Sequence, residues 1–251
     1  GVEAFIEECK EFADEQLDGL QSDFRSFGVW MDWENPYRTV DPTYMEAAWW
    51  AFERAADRGL VAQGKRSVNQ CPRCETAIAN NEVEYADVED PTVHVKFPLR
   101  EREGSLVVYT TTPWTIPANE FVAVGEDIEY ARVEATRDGE TDVLYVAASC
   151  VDDVLSAGRY EDYEVAATMA GADMVGWAYD HPLAAEVPDR PTDDGVGEVY
   201  HADYVEAADT GLVHSAPGHG EVDFERGQEL DLPVFCPVGE DGVYTADAGK
   251  Y

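Results

Sequence analysis

The chain has 251 residues, 45% of them apolar, enough to build a core in one large domain or two small ones. Its 53 acidic against 17 basic side chains give a net charge of −36, spread along the whole length and not gathered into a tail. No window approaches the roughly 18–20 consecutive apolar residues of a bilayer span, and the first residues are acidic and amphipathic where a secretion signal is basic and then apolar. The expected setting is therefore cytoplasmic, without a membrane partner.

The acidity matches a surface made for high salt. Self-repulsion at that charge opposes compaction in dilute buffer, whereas molar salt shortens the screening length to about 3 Å. Six Trp and thirteen Tyr with regular apolar patterning argue against the alternative, an acidic disordered chain. The charge also opposes the usual basic grip on nucleic-acid phosphates. That objection weakens in molar salt, where counterion release contributes little. The five cysteines are an odd, scattered set, so reduced thiols are expected, and only Cys71 and Cys74 have metal-ligand spacing.

In chain order, residues 1–20 read as a helix with Phe5, Ile6, Cys9, Phe12, Leu17 and Leu20 on one face. A second helix has Asp41 as N-cap, Pro42 at the first turn, a stripe of Met45, Trp49, Phe52 and Ala56, and Gly59 as a left-handed stop. The texture then changes to short β-like runs at 67–69, 93–97, 105–110, 121–124, 130–134, 143–147 and 199–202, separated by Gly, Asp and Asn turns. Helices are expected at 148–155 and 221–229. The fold class is thus α/β of the α+β type, mainly a β-barrel or closed sheet with flanking helices. The domain boundary is placed at residue 90, giving a helical region over residues 1–90 and a β region over residues 91–251.

Two segments carry chemistry. In the first, Thr110, Thr111 and Thr112 end a strand, and Pro113, Trp114, Thr115, Ile116, Pro117, Ala118 and Asn119 follow. Two prolines fix the backbone and crowd several hydroxyls into one rigid turn, a polar pocket wall or simply a β-branched strand end. In the second, a β run ends at His214, the turn Ala216-Pro217-Gly218-His219-Gly220 follows, and Glu221 and Asp223 open a helix. A carboxylate there is stabilised as an anion and can receive a ligand ammonium group. Taken alone, a histidine such as His214 at a strand end is more often a hydrogen-bonded structural residue.

Together the two segments resemble the editing domain inserted into the isoleucyl-, valyl- and leucyl-tRNA synthetases, whose signatures are a T-T-T-P-W-T-x-P-A-N stretch and a later G-T-G-x-V-H-x-A-P-G-H-G-x-x-D stretch. His214 and the Pro217-Gly218-His219-Gly220 turn favour the isoleucyl type over the valyl or leucyl types. One departure is Asp209-Thr210-Gly211 where Gly-Thr-Gly is usual. Upstream, the run from Gly28 to Trp33, Trp49-Trp50 and Cys71-Pro72-Arg73-Cys74 resemble the segment of the Rossmann catalytic core that precedes the insertion. No H-I-G-H-like or K-M-S-K-S-like sequence occurs, so ATP and magnesium belong to a longer protein of which this chain is expected to be a piece.

The resemblance implies roles. Asp223 would bind the α-amino group of a mischarged ester, and His214 would border the side-chain pocket and help exclude isoleucine. Thr111, Thr112 and Thr115 would line the pocket beside Thr110, with Asn119 supporting that wall. His219 is read as structural, with a general base as the alternative. The reaction implied is water attack on the ester, driven by positioning. The partner is the 3′ end of tRNA(Ile) carrying valine, met by a monomer. Cys71 and Cys74 would be half of a zinc site completed outside the chain, or two reduced turn cysteines. A different class, a docking module that binds an aminoacylated end without hydrolysing it, stays open.

Overall fold

The computed structural model describes residues 1–251, which divide into two compact units, Gly1–Lys65 and Arg66–Tyr251. The first unit holds α1 (Val2–Ser26) and α2 (Pro42–Asp57), and neither has a buried residue. α1 runs six residues past the expected stop, because nothing in Gln21 to Ser26 breaks a helix. α2 matches its sequence signals, with Asp41 extended at the N-cap, Pro42 at the first position and Gly59 at φ 69° just past the end. Their apolar stripes are exposed, Phe5, Phe12, Trp49 and Phe52 among them.

The second unit opens with a small hairpin, β1 (Asn69–Cys71) and β2 (Thr76–Ile78), paired in antiparallel register. The remaining strands are β3 (Val93–Pro98), β4 (Ser105–Thr110), β5 (Phe121–Val124), β6 (Glu129–Arg137), β7 (Glu140–Ala147), β8 (Asp162–Ala170), β9 (Glu198–His201) and β10 (Leu212–Ser215). They form one eight-stranded sheet in the order β8-β6-β7-β4-β10-β5-β9, with β3 paired to β4 off that path. Two short helices, α3 (Val151–Ala157) and α4 (Glu221–Glu229), flank it. The sheet is a curled, half-open barrel: β8 and β9 are its two ends. The compact units divide at residue 65, so the β1–β2 hairpin packs with the later chain, where Gln70 Nε2 donates to the Glu240 carbonyl and Pro72 lies against Gly242.

The core follows the pleat. Phe97, Leu106, Val108, Val122, Val124, Tyr130, Val133, Leu144 and Val146 are fully or almost fully buried, each large side chain contributing about 1.5–3 kcal/mol. β6 and β7 extend well beyond the expected runs because Asp138-Gly139, at φ 54° and 81°, makes a two-residue turn whose twist suits a hairpin. β8 has no counterpart among the expected runs. It is an edge strand exposed nearly throughout, and Asp162 and Glu164 blunt the alternation a sequence reading relies on while also discouraging edge pairing.

Candidate active site at the junction of β4, β5 and β10

Sheet order brings the two motifs together although about a hundred residues separate them. β10 lies between β4 and β5, with Val213 opposite Tyr109 in parallel register and His214 opposite Val122 in antiparallel register. The threonine turn leaving β4 and the chain entering β5 therefore both adjoin His214.

The turn itself is a 3₁₀ segment, Pro113–Ala118, with Pro113 at its start and Pro117 inside. Its first residues are fixed locally: the Thr112 amide donates to Thr110 Oγ1 at 3.0 Å, and both the amide and Oγ1 of Thr115 donate to the Thr112 carbonyl at 2.9 Å. Thr110 and Thr112 hydroxyls lie 3.2 Å apart and those of Thr112 and Thr115 3.4 Å apart. Thr111 is exposed and has no side-chain hydrogen bond to this cluster.

His214 is buried and bonded at both ring nitrogens, 2.9 Å from Thr115 Oγ1 through Nε2 and 2.8 Å from Asn119 Nδ2 through Nδ1. The polarity can be assigned. Asn119 Nδ2 also donates to the Phe121 carbonyl at 2.9 Å, which fixes the amide nitrogen on that side. Nδ1 of His214 then accepts, so the ring proton sits on Nε2 and is donated to Thr115 Oγ1, whose own proton is committed to the Thr112 carbonyl. Burial, with His181 and His219 nearby, pushes the His214 pKa down to about 3, so the ring is neutral. It has no free lone pair with which to act as a base.

The second motif continues past β10 into α4. Asp223 stands in the first turn of α4, half-buried, and its Oδ2 accepts the Ala216 amide at 3.0 Å. Burial raises its pKa above the usual carboxylate value, opposed by hydrogen bonds from Ala216 and Ser215. His219 packs edge-on against Trp114 at 5.2 Å, joining the second motif to the first, and its Nε2 has no partner. Burial lowers its pKa. The turn before α4 is packed tightly: a Cβ on Gly218 would lie 2.1 Å from the Phe235 carbonyl oxygen.

Several groups here had no sequence signal. Tyr179 donates to Asn119 Oδ1 at 2.6 Å, and His181 Nε2 meets the Ile116 carbonyl at 3.0 Å behind the threonine turn. Burial brings the His181 pKa down to about 4, so the ring is neutral, and because Nδ1 accepts the Leu183 amide, Nε2 is the donor. Both come from a loop-rich segment without recognisable spacing. Glu120 did have one, a lone carboxylate beside the apolar run of β5. It is fully buried; Oε1 accepts the Phe235 amide at 3.0 Å, Oε2 has no partner, and burial lifts its pKa to about 8. The family's Gly-Thr-Gly departure is also explained: Asp209 takes φ 55°, a left-handed conformation that Asp tolerates better than most residues.

Cys71 and Cys74 bracket the turn of the β1–β2 hairpin, with the Glu75 amide bonded to the Cys71 carbonyl at 2.8 Å. Hydrogen bonds from the Cys74 and Arg73 amides lower the Cys71 pKa, while the neighbouring Cys71 sulfur raises that of Cys74. No group of three or more His, Cys, Asp or Glu side chains is placed to hold a metal ion. No helix is long and apolar enough to cross a membrane.

Residues 1–206 match the family model for class I tRNA synthetases of the I, L, M and V group. The chain is 72% identical, over its whole length, to the isoleucine–tRNA ligase of Halobacterium salinarum, of which it covers 24%, and 69% identical to that of Haloarcula marismortui, of which it covers 23%. It thus spans about a quarter of these curated relatives. A partial likeness, TM-score 0.42 at 12% identity, extends over 56% of this chain and 62% of the P. knowlesi cytosolic leucyl-tRNA synthetase editing domain.

Proposed function

The chain belongs to the class I tRNA synthetases of the isoleucine, leucine, methionine and valine group, and from that premise we propose that its β-rich region removes valine wrongly attached to tRNA(Ile). The need is physical. Isoleucine and valine differ by one methylene, worth about 1–3 kcal/mol in an apolar pocket, a limit for which the isoleucyl enzyme is itself the familiar example. A second site that admits valine and excludes isoleucine by size removes the residual errors.

The observation that carries this reading is the buried, directed chain Asn119–His214–Thr115, which joins the two motifs into one stiff wall, with the half-buried Asp223 carboxylate bonded to the Ala216 amide two residues beyond His214. In the proposed mechanism Asp223 receives the ammonium group of the aminoacyl ester, His214 bounds the side-chain pocket, and the hydroxyls of Thr111 and Thr112 meet the terminal adenosine or the attacking water. The water adds to the ester carbonyl, the bond to the ribose oxygen breaks, and that oxygen takes up the proton the water gives up, restoring the ribose hydroxyl. Rate comes from positioning and from donors to the developing oxyanion, with no covalent intermediate.

The same premise extends to the longer protein. Residues 1–90 would belong to its catalytic core and 91–251 to the editing insertion, and ATP-dependent charging of tRNA(Ile) would be its activity. Cys71 and Cys74 would supply two thiolates to a zinc ion whose other ligands lie elsewhere in that protein; the amide-lined Cys71 sulfur suits a bound cation. The protein would work as a cytoplasmic monomer in concentrated salt.

The deciding experiment is release of amino acid from valyl-tRNA(Ile) and isoleucyl-tRNA(Ile) in molar potassium chloride, by this chain and by the full-length protein, each beside its Asp223→Ala variant. Selective valine release that the substitution abolishes is expected. Binding of the valyl ester without release by the full-length protein would establish a docking module instead.

A further inference from the structure

The hydrogen bonds behind His214 continue one residue beyond the two motifs. Tyr179 has no exposed surface; its ring packs edge-on against Phe97 at 5.2 Å, and its amide donates to the Gly197 carbonyl at 2.9 Å. Its hydroxyl is held neutral by burial, which pushes the phenol pKa far up. It donates to Asn119 Oδ1 at 2.6 Å.

The Asn119 carboxamide has nearly the same shape either way round, so its orientation is decided by partners. As placed, Nδ2 faces His214 Nδ1 and the carbonyls of Phe121 and, at 3.4 Å, Ser215, and Oδ1 takes the phenol proton. Turned over, Oδ1 would oppose the Phe121 carbonyl and force the His214 proton onto Nδ1. The phenol proton would lose its acceptor, and Thr115 would have to turn its hydroxyl away from the Thr112 carbonyl to serve Nε2. A buried donor or acceptor left unpaired is costly, so Tyr179 favours the same orientation as the Phe121 and Ser215 carbonyls. Remove the hydroxyl and the native amide strands Oδ1, which brings the two arrangements closer in energy.

We infer that Tyr179 is a positioning residue whose hydroxyl locks the Asn119 amide and thereby holds His214 as the neutral Nε2–H imidazole, setting the wall against which the aminoacyl side chain is measured. The last clause rests on the editing function proposed above; the lock itself does not.

Tyr179→Phe tests it, because phenylalanine keeps the packing against Phe97 and deletes only the hydroxyl. The readout is the imidazole N–H and ring nitrogen signals of His214 by NMR in this chain, with discrimination between valyl- and isoleucyl-tRNA(Ile) measured in the full-length protein. The wild-type protein is expected to show one slowly exchanging Nε2–H. The variant should show faster exchange or mixed tautomers, and a loss of discrimination of about tenfold, mostly through faster attack on the isoleucyl ester. An unchanged His214 signature in a folded Tyr179→Phe protein overturns the lock. A changed signature with unchanged discrimination overturns its role in specificity. If the wild-type protein releases no amino acid, the editing reading fails and the ring signature alone still decides the lock.

Discussion

The two sides of the candidate site are built to opposite specifications. On the β4–β5 side, Thr115, Asn119, His214 and Tyr179 are buried and bonded to one another, and His214 has no spare valence. On the α4 side, Asp223 is half-buried with a carboxylate only partly engaged, and His219 keeps an unpartnered nitrogen. A saturated, dry wall cannot adjust to a ligand, so it can measure shape. A side with unused hydrogen-bonding capacity can grip one. On the proposed reading, size selection would fall to the first face and ammonium binding to the second.

The comparison breaks most visibly at Asp223. Asp223→Ala removes both the charge and the acceptor for the Ala216 amide, whereas Asp223→Asn keeps an acceptor and removes the charge. If the α4 side binds an ammonium group, both should lower kcat/KM for valyl-tRNA(Ile) by about 100-fold, in line with truncating one partner of a hydrogen-bonded charge pair. Only the alanine variant should also lose stability in thermal unfolding. Equal activity of the asparagine variant and wild type would sink the charge role.

Glu120 sharpens the comparison from behind the α4 turn, since it holds Phe235, on which Gly218 rests. Its pKa stands at about 8 in the fold against about 4.3 for an unfolded glutamate. A raised carboxyl binds its proton more tightly when folded. Its stabilising contribution is therefore complete below about pH 4, declines as pH rises, and is gone above about 8. Glu120→Gln cannot ionise. Denaturant unfolding in high salt should find it more stable than wild type at pH 9, by up to about 5 kcal/mol, and no more stable at pH 4. Parallel pH profiles for the two proteins would show that Glu120 is ionised and solvated.

On the wall itself, Asn119→Ala leaves the Tyr179 hydroxyl and His214 Nδ1 without partners. It should cost about 2 kcal/mol in unfolding free energy and, unlike Tyr179→Phe, lower release of both amino acids.

What the sequence revealed and what it hid divide along the same line. Thr110, Thr112, Thr115, Asn119, His214, His219 and Asp223 sit in two ordered motifs, and the structure brings all of them to one junction of the sheet. Thr111 stands apart, because successive residues leaving a strand cannot all face one way. Tyr179 and His181 were invisible because their importance comes from where the chain folds back, which periodicity does not encode. The β5 core run and the α4 boundaries were legible from apolar pattern and turn residues. β8 was not, because an exposed edge strand has no buried face to impress a period of two on its residues.

The smallest expected effect concerns the turn that delivers β10. Gly211 takes φ 69°, and a Cβ there would lie 2.4 Å from Ala147 Cβ, so glycine is required at that position on two counts. Asp209, two residues earlier, adopts φ 55° with a side chain, where the family usually has glycine. Left-handed backbone costs an L-residue about 1 kcal/mol, less for Asp. Glycine relieves that strain but loses more entropy on folding. The two nearly cancel, so Asp209→Gly should change unfolding stability by no more than about 0.5 kcal/mol in molar salt. In dilute buffer the variant should gain more than it does in salt, because removing one carboxylate from a chain of net charge −36 relieves repulsion that salt otherwise screens. Thermal unfolding of both proteins across a salt series measures that difference; identical shifts at every salt concentration would mean that the Asp209 charge is not felt by the fold.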